Sequence, residues 1–390
     1  MKRYLATLLA TVMLVACRDG AQPVAPTAEL GILSTSQGPP PAYAPIPIQL
    51  PDEFSQSLAV ALNRRNQVVV EGRVINNGVW ESSHAFLWEN GVSQDLGTLG
   101  APYTVPTDIN DLGQVVGWSR QDFAAPAHAF FWDRGTMQDL GEVVVFGSSQ
   151  PTFNQVRINQ RGQVLGIRPE GGAFLWDNGV TQTVALDFAS GLNDEGQVAG
   201  WVWHDSAGVR MRRAAVWENG VVTELGTVGG AESWANGISN SGWVVGGSLT
   251  GPNEFGTAER HAFRWRDGVM EDLGRSGETS SGRPVGWEGT LVNEPGQVAG
   301  KSSDFPFFWD NGTVQPIDCR CFSFYPMDLN VHGLVVGWSG WVWKDGVLHN
   351  LEGEALRRAM AINDSGVVVG YQGPTATVWM PVGDDALIAP

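Results

Sequence analysis

The 390-residue chain is short of positive charge, of cysteine and of long apolar runs. Lysine occurs three times (Lys2, Lys301 and Lys344), and 24 basic residues stand against 41 acidic ones, a net charge of -17. A surface of that sign repels a phosphate backbone, so a nucleic-acid partner is excluded. Three cysteines (Cys17, Cys319 and Cys321) are too few for a disulfide scaffold. The apolar run over residues 4–15 is too short for a spanning helix, which needs ~20 residues. The chain has no phosphate loop, no Gly-x-Ser-x-Gly elbow and no His-Glu-x-x-His. No catalytic residue, metal ligand or cofactor is therefore nominated. What is abundant is glycine (50) and tryptophan (17). Glycine marks turns and tryptophan favours strands, which predicts an all-β protein.

Internal repetition sets the architecture. An apolar-Asn-x-x-Gly-x-Val-Val-Gly segment recurs, followed by His-Ala-Phe-x-Trp-x-x-Gly and then Asp-Leu-Gly. The anchoring tryptophans are Trp88, Trp132, Trp176, Trp217, Trp265, Trp309, Trp343 and Trp379. The first segment carries Asn63, Asn110, Asn159, Asn193, Asn293, Asn330 and Asn363, with Ser239 in the fifth copy. Each copy holds four short apolar runs, a to d, of strand length. Runs a and b are joined by Asn-Asp-x-Gly turns. Runs c and d are joined by Asn-Gly pairs such as Asn90-Gly91 and Asn178-Gly179, a strong hairpin signal. Four strands per ~40–45 residues predict a β-propeller of eight four-stranded blades, with seven blades as the alternative. Residues 46–50 are expected to supply a ring-closing strand. Ala386 and Leu387 stand where a fourth strand of the last copy would lie.

The repeats resemble the bacterial extracellular HAF-repeat family, through His84-Ala85-Phe86, His128-Ala129-Phe130 and His261-Ala262-Phe263. Five copies replace the histidine, with Gly172, Arg213, Phe305, Ser339 and Thr375. The resemblance covers residues 59–387 and implies an extracellular or surface protein. The family has no settled activity, so no catalytic residues are carried over. Separately, Leu14-Val15-Ala16-Cys17 after a short basic start resembles a lipoprotein signal (lipobox). That resemblance implies removal of residues 1–16, acylation of Cys17 and, with Arg18 following it, sorting to an outer membrane or surface. Residues 17–56, rich in proline, read as a tether, and residues 57–390 as the propeller.

The repeated histidines fall on different blades, too far apart to share one zinc ion, so they are expected to cap or pack strands. The Asn-Asp-x-Gly carboxylates (Asp111, Asp194 and Asp364) are explained by turn chemistry rather than calcium, whose loops gather more oxygens. Cys319 and Cys321 leave three readings open: a small local disulfide, free thiols, or a metal or redox role. Connections b–c and d–a vary in length and lie together on one face, where binding concentrates. The candidate contacts there are Trp203, His204, Asp205, Arg210, Arg212, Arg260, Arg283, Trp287 and Glu288, with Trp203, His204 and Trp287 expected to be exposed. The expected function is a surface-tethered, monomeric binding propeller with a protein or carbohydrate partner. Its only membrane contact would be the lipid anchor. The alternatives are a polysaccharide hydrolase, which would need two carboxylates ~5–9.5 Å apart in a central pocket, and a purely structural envelope protein.

Overall fold

The computed structural model describes residues 42–145, 156–206, 208–252, 258–274, 276–278, 284–302, 305–318, 325–351 and 357–382. Among them the regular secondary structure is all strand. The strands form eight four-stranded antiparallel units that follow the sequence repeats. The second unit is typical: Tyr103–Ile109, Val115–Arg120, Ala127–Asp133 and Thr136–Val143. One parallel pairing, Ser83 with Tyr103, joins the third strand of the first unit to the first strand of the second.

The register is the same throughout. The first valine of each Val-Val-Gly stretch, or its equivalent, lies opposite the anchoring tryptophan: Val68–Trp88, Val115–Trp132, Val164–Trp176, Val198–Trp217, Val244–Trp265, Val298–Trp309, Val335–Trp343 and Val368–Trp379. All these tryptophans except the partly covered Trp265 are buried between neighbouring blades. The glycine of the motif is set by close approach. A Cβ on Gly117 would lie 2.7 Å from the Phe130 ring and 2.1 Å from the Val105 carbonyl oxygen. The c–d turns have positive φ at both central residues, as at Asn90 (49°) and Gly91 (88°), the geometry that suits a two-residue hairpin.

The ring is closed in two ways. The last blade, Arg357–Ile362, Val368–Gln372 and Thr375–Val382, takes its fourth strand from the N-terminal side, Ala42–Pro47. This strand lies four residues before the expected start of the closing segment and within the stretch read as a tether. Ala386 and Leu387 lie outside the described residues, as do residues 1–41. The second closure is a circuit of side chains. The amide Nδ2 of each repeat asparagine donates to the backbone carbonyl of its counterpart in the next blade. The steps run Asn63 to Asn110 (3.0 Å), Asn110 to Asn159 (3.1 Å), Asn159 to Asn193 (2.9 Å) and Asn193 to Ser239 (3.1 Å). They continue from Asn293 to Asn330 (3.0 Å), Asn330 to Asn363 (3.1 Å) and Asn363 back to Asn63 (3.1 Å). The step at Ser239 is bridged differently: Glu294 accepts the Asn240 and Ser241 amides, and the Ser241 hydroxyl donates to the Glu294 carbonyl.

Candidate functional site

A β-bulge interrupts the innermost strand in seven of the eight blades, for example between Pro106 and Asp108 and between Pro326 and Asp328. A bulge re-aims side chains. Here it turns Thr107 and Ser190 to donate to the Val156 and Ala235 carbonyls of the following blades. The next residue faces the central channel. In blades 2 and 7 that residue is an aspartate. Asp108 accepts the Ile109 and Ile158 amides, and Asp328 accepts those of Leu329 and Ile362. Each carboxylate thus ties its own blade to the next. Arg157 lies between them in charge terms, attracted by both.

Asp108 and Asp328 are surrounded by protein yet border the channel. Burial raises each carboxyl from the ordinary 3.8 to about 6, against the opposing pull of the amide hydrogen bonds. The folded state therefore holds these protons more tightly than the unfolded chain does. The stabilisation this gives is complete below about pH 4 and is lost as pH rises through about 6. Each tenfold in proton affinity corresponds to ~1.4 kcal/mol, so each group contributes at most on the order of 3 kcal/mol, reduced by water in the channel. Thermal melts are expected to show higher stability at pH 5 than at pH 7.5, and Asp108→Asn with Asp328→Asn should flatten that difference. An unchanged profile in the double variant would refute the assignment.

The channel holds a cavity of about 820 Å³, bordered by the layer of Asp108 and Asp328 and extending to the b–c and d–a face. In six of the eight blades the residue that follows the Val-Val-Gly stretch or its equivalent lines it: Glu71, Trp118, Ile167, Lys301, Trp338 and Tyr371. Arg73, Arg120 and Arg358 join them. Arg73 forms a two-point ion pair with buried Glu71 (2.7 and 2.8 Å). The other rim cations rest on aromatic rings. Arg120 lies 4.9 Å from the Trp118 ring centre and 4.2 Å from that of Phe123. Arg358 lies 4.0 Å from Trp338, and Lys301 4.7 Å from Tyr325.

The residues nominated from sequence fall into two groups. Arg212, Arg260 and Glu288 gather around Trp234. The two guanidinium groups lie 4.6 and 5.2 Å from its ring, and Glu288 accepts its indole N–H at 2.9 Å and pairs with Arg260 at 3.5 Å. Glu288 also lines the channel. Trp203, His204, Asp205 and Arg210 lie elsewhere, on a long hairpin formed by Val198–Ser206 and Val209–Glu218. The segment read as a loop is therefore strand. Trp203 is 38% exposed, with Arg210 4.8 Å from its ring centre, and His204 pairs with Glu224 at 3.1 Å. Trp287 is a correction. It is 3% exposed and stacks on Phe307 at 4.4 Å, because its chain enters the sheet of the sixth blade there. Trp287→Ala should cost ~3–5 kcal/mol, as large aromatic truncations in a core do, whereas Trp203→Ala should barely move a thermal melt. Arg283, Cys17, Cys319 and Cys321 lie outside the described residues.

The His-Ala-Phe histidines each meet the aspartate of the following Asp-Leu-Gly: His84–Asp95 at 2.7 Å, His128–Asp139 at 2.9 Å and His261–Asp272 at 2.9 Å. The same aspartates accept the amides of Gly97, Gly141 and Gly274. The two halves of the repeat motif are thus joined by a histidine–aspartate contact across strands c and d.

No protein-family model matches the chain, and no curated protein does. Solved structures similar to it include the β-propeller domain of the trilobed protease from Pyrococcus furiosus, described as having an open velcro topology. That match has 11% identity, covers 84% of this chain and 95% of that one, and has a TM-score of 0.47. A streptogramin B lyase matches at 11% identity over 87% of this chain and 98% of its own, with a TM-score of 0.42. A gluconolactonase from Xanthomonas campestris matches at 10% identity over 89% and 96%, with a TM-score of 0.36. None of these likenesses bears on activity, and the propeller assignment rests on the strand pairing described above.

Proposed function

We propose that the protein is a binding propeller of the cell envelope that takes its ligand at the mouth of its central channel and is held there through acylated Cys17. The observation that carries the reading is the rim itself. The repeat is nearly uniform at its core positions, yet the position after Val-Val-Gly changes chemistry from blade to blade and in six of the eight blades lines one cavity. A rigid frame with variable residues gathered at one opening is the usual arrangement of a recognition site. The cavity volume lies within the range of small-ligand pockets, ~300–1,000 Å³.

Filling the channel tests this. Ala361 lines it, and Ala361→Trp should abolish ligand capture on a glycan or metabolite array while the fold remains intact by circular dichroism. Capture that persists would move the site elsewhere. For the anchor, Cys17→Ala should shift the protein from the membrane fraction to the soluble fraction, and an unchanged distribution would end that part of the proposal.

A hydrolase is the second reading, favoured by the raised carboxyls of Asp108 and Asp328 facing one channel. Against it, both oxygens of each carboxylate accept backbone amides in the same inter-blade pattern. That repeated geometry marks a structural tie.

A further inference from the structure

We propose that the ligand of the channel mouth is a small polyanion, bearing several carboxylate or phosphate groups, held by Arg120, Lys301 and Arg358. This rests on the binding reading above and gives it a chemical class.

The chain carries 41 acidic residues against 24 basic ones, so a cation has carboxylates to spare. Away from the channel several arginines use them, while Arg65, Arg168, Arg210 and Arg213 form no ion pair among the described residues. Arg64 pairs with Asp111, Arg134 with Asp133, Arg161 with Glu195, Arg212 with Glu232, Arg264 with Glu271 and Arg266 with Asp267. At the mouth, Arg73 is neutralised by Glu71. Arg120, Lys301 and Arg358 form no ion pair among the described residues, and each instead sits against a ring. Asp122 attracts Arg120 without forming an ion pair with it, and its Oδ1 accepts the Ala124 and Ala125 amides.

A ring face holds a cation in place without cancelling its charge or saturating its N–H donors. The Nε–H groups of Arg120 and Arg358 are buried with no partner. An unpaired, partly desolvated guanidinium is costly unless a negative group completes it. Burial accordingly lowers the proton affinity of Arg120. The three cations come from the second, sixth and eighth blades and border the same cavity, so a ligand with separated charges can meet all of them.

The test is calorimetric titration of the full-length protein with three probes: trigalacturonate, inositol hexakisphosphate and neutral maltotriose. At least one anionic probe is expected to bind well above maltotriose. Its affinity should fall roughly tenfold or more in each of Arg120→Met, Lys301→Met and Arg358→Met, with melting temperatures close to the wild type. Which anion binds decides between carboxylate and phosphate. If maltotriose binds equally and the charge variants change nothing, the polyanion assignment fails while a mouth-binding role survives, provided Ala361→Trp blocks it. Anion binding that Ala361→Trp leaves intact lies outside the channel and overturns the inference. So does a lack of binding by either anion.

Discussion

Deleting Ala42–Pro47 is expected to lower the melting temperature by ~10 °C or more. The segment pairs along its whole length with Thr375–Val382, the third strand of the last blade. It buries Tyr43 to 2% exposure in the same cluster as Trp379, which is wholly inaccessible. Losing the strand removes an aromatic core residue, worth ~3–5 kcal/mol by analogy with large truncations. It also leaves Thr375–Val382, otherwise paired on both sides, as an exposed edge in place of one blunted by proline. The sequence suits this edge. Ile48 donates its amide to the Ala376 carbonyl, so even-numbered residues face the partner strand, and Pro45 and Pro47, which lack an N–H, fall on the solvent side. At ~2–4 °C per kcal/mol for a domain somewhat smaller than this one, the effect is easily read by calorimetry. Tyr43→Ala should reproduce about half of it. A deletion variant melting within about 3 °C of the wild type would mean that the ring holds without its closing strand.

Much of this architecture was legible because it repeats. The valine, glycine and tryptophan positions recur in the sequence and recur in register, since each blade solves the same packing problem against its neighbours. The Asn-Gly hairpins were equally plain, because positive φ at two successive residues admits few sequences. The closing strand was less so. Proline at every second position argues against a central strand, and only the topology shows that this is an edge.

The site was harder to read. Trp203 and its neighbours stood out as aromatic and charged residues in a variable stretch, yet they form a hairpin apart from the channel. Trp287 looked like a loop residue because the register of strand a cannot be counted across a long connection; packing on Phe307 decides it. The channel rim did leave a signal: Glu71, Trp118, Lys301, Trp338 and Tyr371 occupy one repeat position that differs in chemistry while its neighbours do not. The bulges that aim Asp108 and Asp328 left none, because an unpaired backbone residue has no distinctive side chain, only a consequence for those that follow it.

The repeat asparagine is where turn chemistry and ring chemistry can be separated by experiment. Read from sequence, Asn110 is a turn residue, and aspartate would serve almost as well. In the folded ring all four of its hydrogen-bonding positions are used. Its Oδ1 accepts the Leu112 and Gln114 amides, while its Nδ2 donates to the Gln114 side chain at 2.7 Å and to the Asn159 carbonyl of the next blade at 3.1 Å. Asn110→Ala strips partners from several buried groups and should cost ~3 kcal/mol, since each orphaned buried polar group carries a penalty of ~1–3 kcal/mol. Asn110→Asp keeps the acceptor that makes the turn but replaces both donors with a carboxylate oxygen facing two other oxygens. It should therefore be at least as destabilising as alanine, in urea melts and in Tm alike. An aspartate variant as stable as the wild type would reduce the asparagine to a turn former and leave the circuit from Asn63 to Asn363 without energetic weight.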